Sequence, residues 1–157
     1  MVFLEWLQST WIGTTVAESL WGYPTFETMH AIGMAMLIGS LGLIDLRVLG
    51  YKPALLLINM RSLLPLAWIG FTLNAFSGTL LFMSNAVEFF DNIMFRWKIV
   101  LIILGGINAA LLSGRIFREA PAGGAVVPTT GAKWLAATSL VFWFAAIVCG
   151  RFIAYVS

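Results

Sequence analysis

Four stretches of this chain, roughly 26–48, 63–83, 95–112 and 134–156, are each long, nearly uninterrupted runs of apolar residues. About 20 such residues are what an α-helix needs to cross the hydrocarbon of a bilayer. Lipid offers a backbone no hydrogen-bonding solvent, so a segment of this kind has to pair its own amides, as a helix does. Composition leaves little alternative: 61% of the 157 residues are hydrophobic and only 10% are charged, too few to coat a soluble particle. The sequence therefore predicts an all-α polytopic membrane protein, a four-transmembrane-helix bundle forming one domain over residues 1–157, with the lipid bilayer as its solvent. A net charge of +2, scattered along the chain, excludes nucleic acid as a partner. The lone Cys149 closes no internal disulfide and builds no thiolate cluster.

The punctuation between the runs supports this division. Residues 1–22 place Phe3, Leu4, Leu7, Trp11 and Ile12 at helical spacing, which predicts an amphipathic helix lying in the interface with Trp6 and Trp11 as anchors. The opening "MVFLEWLQSTWIG" has no basic start and no small-residue cleavage site, so no cleavable signal is expected. Pro24 introduces the first span, where a proline costs little, and Gly50 with "YKP" ends it. Between spans one and two, "ALLLINM" is too short to cross and is expected to pack along the interface. Ser62 is placed to cap the second helix, with Pro65 in its first turn. The link "REAPAGGAVVPTTGAK" reads as a loop.

Basic residues set the orientation. Arg47, Lys52 and Arg61 flank the first connection, and Arg115, Arg118 and Lys133 flank the third. The other side holds Arg96, Lys98 and Arg151 together with Glu5, Glu18, Glu27, Glu88 and Asp91. The positive-inside rule then puts connections one and three in the cytoplasm and both termini outside, periplasmic in a bacterial inner membrane.

In that frame the charges fall into two layers. Glu27 and His30 begin helix one, Lys98 begins helix three and Arg151 ends helix four, so all four reach one outer layer. Asp45 and Arg47 end helix one, and Asn108 and Arg115 belong to the same inner half. Charge at membrane depth costs several kcal/mol unless it is paired or hydrated, and it marks functional sites. For the inner layer the plainer reading is preferred: an Asp45–Arg47 pair closing the bundle near the headgroups. The outer layer carries the only histidine of the chain. Glu27, His30 and Met34 share a helix face. Opposite, Gly70, Asn74 and Gly78 form a small-residue strip, which normally lets helices approach closely and which in a rarer reading leaves room for a flat cofactor.

Three roles compete for His30. It is a neutral packing residue bonded to Glu27 or a carbonyl; or the axial ligand of a b-type haem whose propionates meet Lys98 and Arg151; or, with Met34, a ligand of copper. One histidine gives one axial ligand, so the haem reading calls for a homo-oligomer or a partner membrane subunit. Glu27 either accepts the second imidazole N–H or caps the start of its own helix.

The segments "ESLWGYPTFETMHAIGMAMLIGSLGLIDLRVLG", "WKIVLIILGGINAAL" and "GRFIAY" resemble an uncharacterised family of small four-helix bacterial inner-membrane proteins. More distantly they are similar to the copper-resistance D family and to HemJ-type protoporphyrinogen oxidases. Those proteins also place a histidine in the first span and a lysine at the opening of the third. The resemblance implies haem binding and porphyrin oxidation by His30 and Lys98. The chain departs from the HemJ pattern at Glu27 and at "IDLRVLG", which puts the enzymatic step in doubt more than porphyrin binding. The reading favoured here is a membrane-embedded b-type haem-binding redox subunit, with copper handling and a cofactor-free accessory subunit as rivals.

Overall fold

The computed structural model describes residues 1–118 and 127–156. Among the described residues all regular structure is helical, and four helices are long and apolar enough to cross a membrane. The chain is an all-α membrane bundle, as its long apolar runs require.

Two short helices, α1 (Val2–Gln8) and α2 (Trp11–Glu18), open the chain. They replace the single helix expected there, because Thr10 interrupts it: its side chain accepts from the Gly13 amide and starts α2 afresh. Trp6 and Trp11 remain largely exposed, while Val16 is buried. Gly13 lies so close to the end of the second span that an added Cβ would sit 2.9 Å from the Met83 carbonyl. The N-terminal segment therefore packs over one end of the bundle.

The first span, α3 (Gly22–Val48), starts four residues earlier than expected, with Pro24 in its first turn. Its buried positions, Gly33, Leu37, Ser40, Leu41, Ile44, Asp45 and Val48, recur every three or four residues. Gly50 leaves it at φ 108°, a left-handed turn open to glycine. A 3₁₀ segment, Leu57–Ser62, follows and turns Leu57 into the core, while Leu55, Leu56 and Ile58 of the same connection stay exposed along the surface. Then comes α4 (Leu63–Ser84). Ser62 does not cap it: its hydroxyl donates to the Asn59 carbonyl at 2.9 Å.

A short helix absent from the sequence reading, α5 (Ala86–Asp91), leads to α6 (Ile93–Ser113), whose last turn widens into a π-helical stretch over Gly114–Arg118. The last span, α7 (Thr130–Phe152), is capped by Thr129 and ends four residues before the expected limit. Half of the loop predicted for the third link, residues 119–126, lies outside the described residues; its last four residues, 130–133, are the first turn of α7.

The helices pair as two hairpins, α3 with α4 and α6 with α7, and α3 joins them by packing on α7. The first hairpin closes tightly. A Cβ at Gly70 would lie 2.6 Å from the Leu37 amide and one at Gly33 would lie 2.9 Å from the Gly70 carbonyl, so the two backbones touch there. Across the bundle α4 and α6 meet through larger groups, the stacked rings of Phe82 and Phe95. Asn92 ties the ends together. Its carbonyl caps α6 through the amides of Met94 and Phe95, and its amide donates to the carbonyls of Ile153 and Val156. Both termini lie at this end of the bundle.

Two apolar clusters fill the interior. One, towards the His30 end, is Leu37, Leu41, Ala67 and Trp143. The other, at the far end, is built from Ile44, Val48, Leu57, Leu112, Ile116, Phe117, Ala132 and Ala136.

Candidate functional site

The polar layer at the His30 end is assembled from three helices. His30 faces α4, where Gly78 leaves space for the ring: a Cβ at that position would stand 3.0 Å from His30 Cε1. The imidazole Nδ1 lies 3.1 Å from the Asn74 carbonyl oxygen and 3.2 Å from Ser77 Oγ. Asn74 answers with its own amide, which donates to the His30 carbonyl at 2.9 Å. Two helices are thus joined by reciprocal bonds one turn from their closest approach.

These bonds fix the tautomer. Ser77 Oγ also lies 2.7 Å from the Leu73 carbonyl, and the Asn74 oxygen only accepts, so the proton at this corner of the ring sits on Nδ1. Nε2 then carries the lone pair. It points at Lys98 Nζ, 3.3 Å away on α6, and the lysine side chain in turn packs on Gly150 of α7. An ammonium donating to a neutral imidazole is consistent with this geometry.

The structure therefore brings together three of the residues singled out from sequence: His30, Asn74 and Lys98. It does not gather the others. Glu27 is exposed and makes no hydrogen bond to the ring, both of whose nitrogens have other partners. Nor does it cap α3, because the helix begins at Gly22 and leaves Glu27 beyond the first turn. Arg151 turns away from the layer and lies over the ring of Tyr155, 5.7 Å from its centroid, with Nη2 3.5 Å from the hydroxyl. Met34 is half-buried one turn further along α3, and the ring's polar partners include no methionine. The strip of Gly70, Asn74 and Gly78 is filled by the α3 backbone and the imidazole itself, so it holds no flat cavity. A groove does open on the opposite, lipid-exposed face of α4, lined by Trp68, Ile69, Thr72, Leu73 and Phe76, but it is apolar. Among the described residues no three His, Cys, Asp or Glu side chains converge.

Ser77 was not singled out from sequence. Its only signal is position: one turn after Asn74, on the small-residue face that meets α3.

The inner layer departs further from expectation. Asp45 and Arg47 do not pair, since residues two apart face different sides of a helix. Arg47 instead reaches out to the carbonyls of Leu55 and Pro53. Asp45 is 2% exposed, and Ser139 on α7 faces its carboxyl without closing a hydrogen bond of normal geometry. Arg115 lies against Gly131 near the start of α7. Among the described residues five buried side-chain polar atoms have no partner: Ser40 Oγ, Asp45 Oδ2, Asn108 Oδ1, Ser139 Oγ and Trp143 Nε1.

No family model, no curated protein and no solved structure matches the chain, so the geometry of these two layers carries the functional argument.

Proposed function

We propose that this protein is a b-type haem-binding redox subunit of a bacterial inner membrane, with both termini on the periplasmic side. The observation that carries the reading is the oriented imidazole. A carbonyl holds the proton on His30 Nδ1, and this leaves Nε2 as a lone-pair donor directed away from the α3–α4 seam. Metal-ligating histidines are held in this way, their second nitrogen donating to a carbonyl or carboxylate. The residues that would hold an iron porphyrin are His30, whose Nε2 would ligate the iron once Lys98 moves off it, and Lys98, whose ammonium would meet a propionate; the ring would have to lie outside the filled α3–α4 strip. When bound, haem provides one-electron chemistry, and the chain's contribution is to orient the ring and to shield it from water. Asn74 and Ser77 are positioning residues that keep the imidazole plane fixed. Because this chain has a single histidine, a second nitrogen ligand would have to come from another copy of the chain or from a partner membrane subunit.

The full-length protein purified from haem-replete cells is expected to show a Soret band that His30→Ala removes. Colourless wild-type protein that takes up no added haemin would overturn the proposal.

A second reading is favoured by the reciprocal bonds between His30 and Asn74. In it the pair fastens two helices of a cofactor-free accessory subunit, and His30→Ala lowers stability with no spectral change.

A further inference from the structure

The two helical hairpins meet mainly along one seam, where α3 packs on α7. Most of that seam is apolar. Leu37, Leu41 and Trp143 fill its half towards His30, and Ile44, Val48, Ala132 and Ala136 fill the other. Asp45 is buried between the two halves. Two observations set it against the middle of α7. Ser139 faces its carboxyl, and a Cβ at Gly42, one turn earlier on α3, would meet Leu140 at 3.9 Å.

A bare carboxylate in an apolar interior is so costly that it has to find a cation or take up a proton. Among the described side chains no cation faces Asp45. On its own helix Arg47 turns to the carbonyls of Leu55 and Pro53. Lys52 and Arg61 in the first connection are exposed, and α4 carries no charged residue. Past the end of α6, Arg115 lies against Gly131, and Lys133 in the first turn of α7 is exposed. The His30 layer, with Lys98, is about 22 Å away along α3 at roughly 1.5 Å per residue.

Ser139 suits a neutral acid. The helical hydroxyls of Thr28, Thr72, Ser77, Thr79 and Ser84 each donate to a carbonyl three or four residues back, as is usual in apolar helices. Ser139 Oγ makes no such bond, so its proton and its lone pairs are both open to the group it faces. A carboxylate can only accept from it. A carboxylic acid can accept on its carbonyl oxygen and also donate its own O–H.

We infer that Asp45 is a proton-binding site and the latch of this seam: as a neutral acid it pairs with Ser139 and lets α3 close on α7, and its ionisation puts an unpaired anion between the hairpins and loosens them. The inference does not rest on haem or on the His30 layer. Folded, the bundle keeps a proton that an ordinary aspartate of the unfolded chain loses above about pH 4. Where the folded state holds the extra proton, stability falls as pH rises.

The test joins infrared spectroscopy and thermal unfolding of the full chain in detergent. Exposed carboxyls are ionised at neutral pH, yet the wild type should still show the carbonyl stretch of a protonated carboxyl. Asp45→Asn, which keeps the neutral shape and cannot ionise, should remove that band. The wild type should also lose Tm relative to this variant as pH rises, by about 3–5 °C per pH unit at the steepest. If the variant does not fold, the wild-type band decides, because Asp45 is the one buried carboxyl among the described residues. Absence of the band in the wild type overturns the inference, and a carboxylate held by a cation gives that result. A band that survives Asp45→Asn overturns it too, as does a Tm difference that stays constant with pH.

Discussion

Ser77 and Ser139 are both fully buried serines in membrane-spanning helices, and they live in opposite chemistries. Ser77 belongs to the His30 layer, where its hydroxyl is shared between the imidazole, its own backbone and the Asn74 carbonyl. Ser139 belongs to the Asp45 layer, where its hydroxyl faces the Asp45 carboxyl without closing a hydrogen bond of normal geometry. The first layer is complete within the chain. The second is incomplete within it, and buried polar groups are rarely left unpaired without a reason. The layer that looks plainer in the sequence is thus the one left with unpaired buried groups, while in the layer with the histidine Lys98 alone stands where another ligand of Nε2 would bind.

The sharpest way to break that contrast is at the helix contact on which the satisfied layer rests. Gly70→Leu forces a side chain into backbone atoms of α3 and should cost upwards of about 3 kcal/mol, well beyond an ordinary overpacking penalty. Loss of folded monomer by gel filtration, together with a collapsed Tm, is the expected readout; a near-normal Tm would mean the two helices are further apart than described. Next in size, His30→Ala leaves the Asn74 carbonyl and Lys98 without their partner and should cost about 1–3 kcal/mol in cofactor-free protein. Asn74→Ala comes third. It removes a bond between two spans, and interhelical bonds of this sort contribute roughly 0.6–1.7 kcal/mol.

The smallest effects sharpen the comparison most. Ser77→Ala should destabilise the protein by about 0.5–1 kcal/mol because it removes a satisfied bond. Ser139→Ala should cost less than Ser77→Ala, since its hydroxyl faces the Asp45 carboxyl without closing a hydrogen bond of normal geometry. Chemical denaturation of the two variants side by side decides the matter. If both serines cost the same, the layers do not differ as argued.

Much of the architecture was legible in advance, at particular residues. Pro24, Gly50 and Pro65 bracket spans whose lengths the bilayer dictates, and the strip Gly70, Asn74, Gly78 marks the close contact of α3 with α4. That His30 and Lys98 share a layer followed from their depth along separate helices, and Asn74 was marked by its place on the small-residue strip beside His30. Depth alone misplaced Arg151, because a residue at the right level can still face outward, and here Tyr155 draws it away. It misplaced Glu27 as well, since the start of α3 moved and both imidazole nitrogens found other partners.

What the sequence determined by itself is the solvent and the architecture. Runs of apolar residues long enough to cross a bilayer admit only internally bonded backbone, so the spanning helices, their number and the shared side of the termini were settled before any packing. The tertiary structure alone decided the rotation of each helix about its axis, and with it the partner of every polar side chain. In these spans apolar residues surround nearly the whole circumference, so amphipathic periodicity is weak and cannot say which face turns inward. That choice falls to close contacts such as Gly33 on Gly70 and Trp143 on Gly105, which set Ser77 against the imidazole and Ser139 against Asp45.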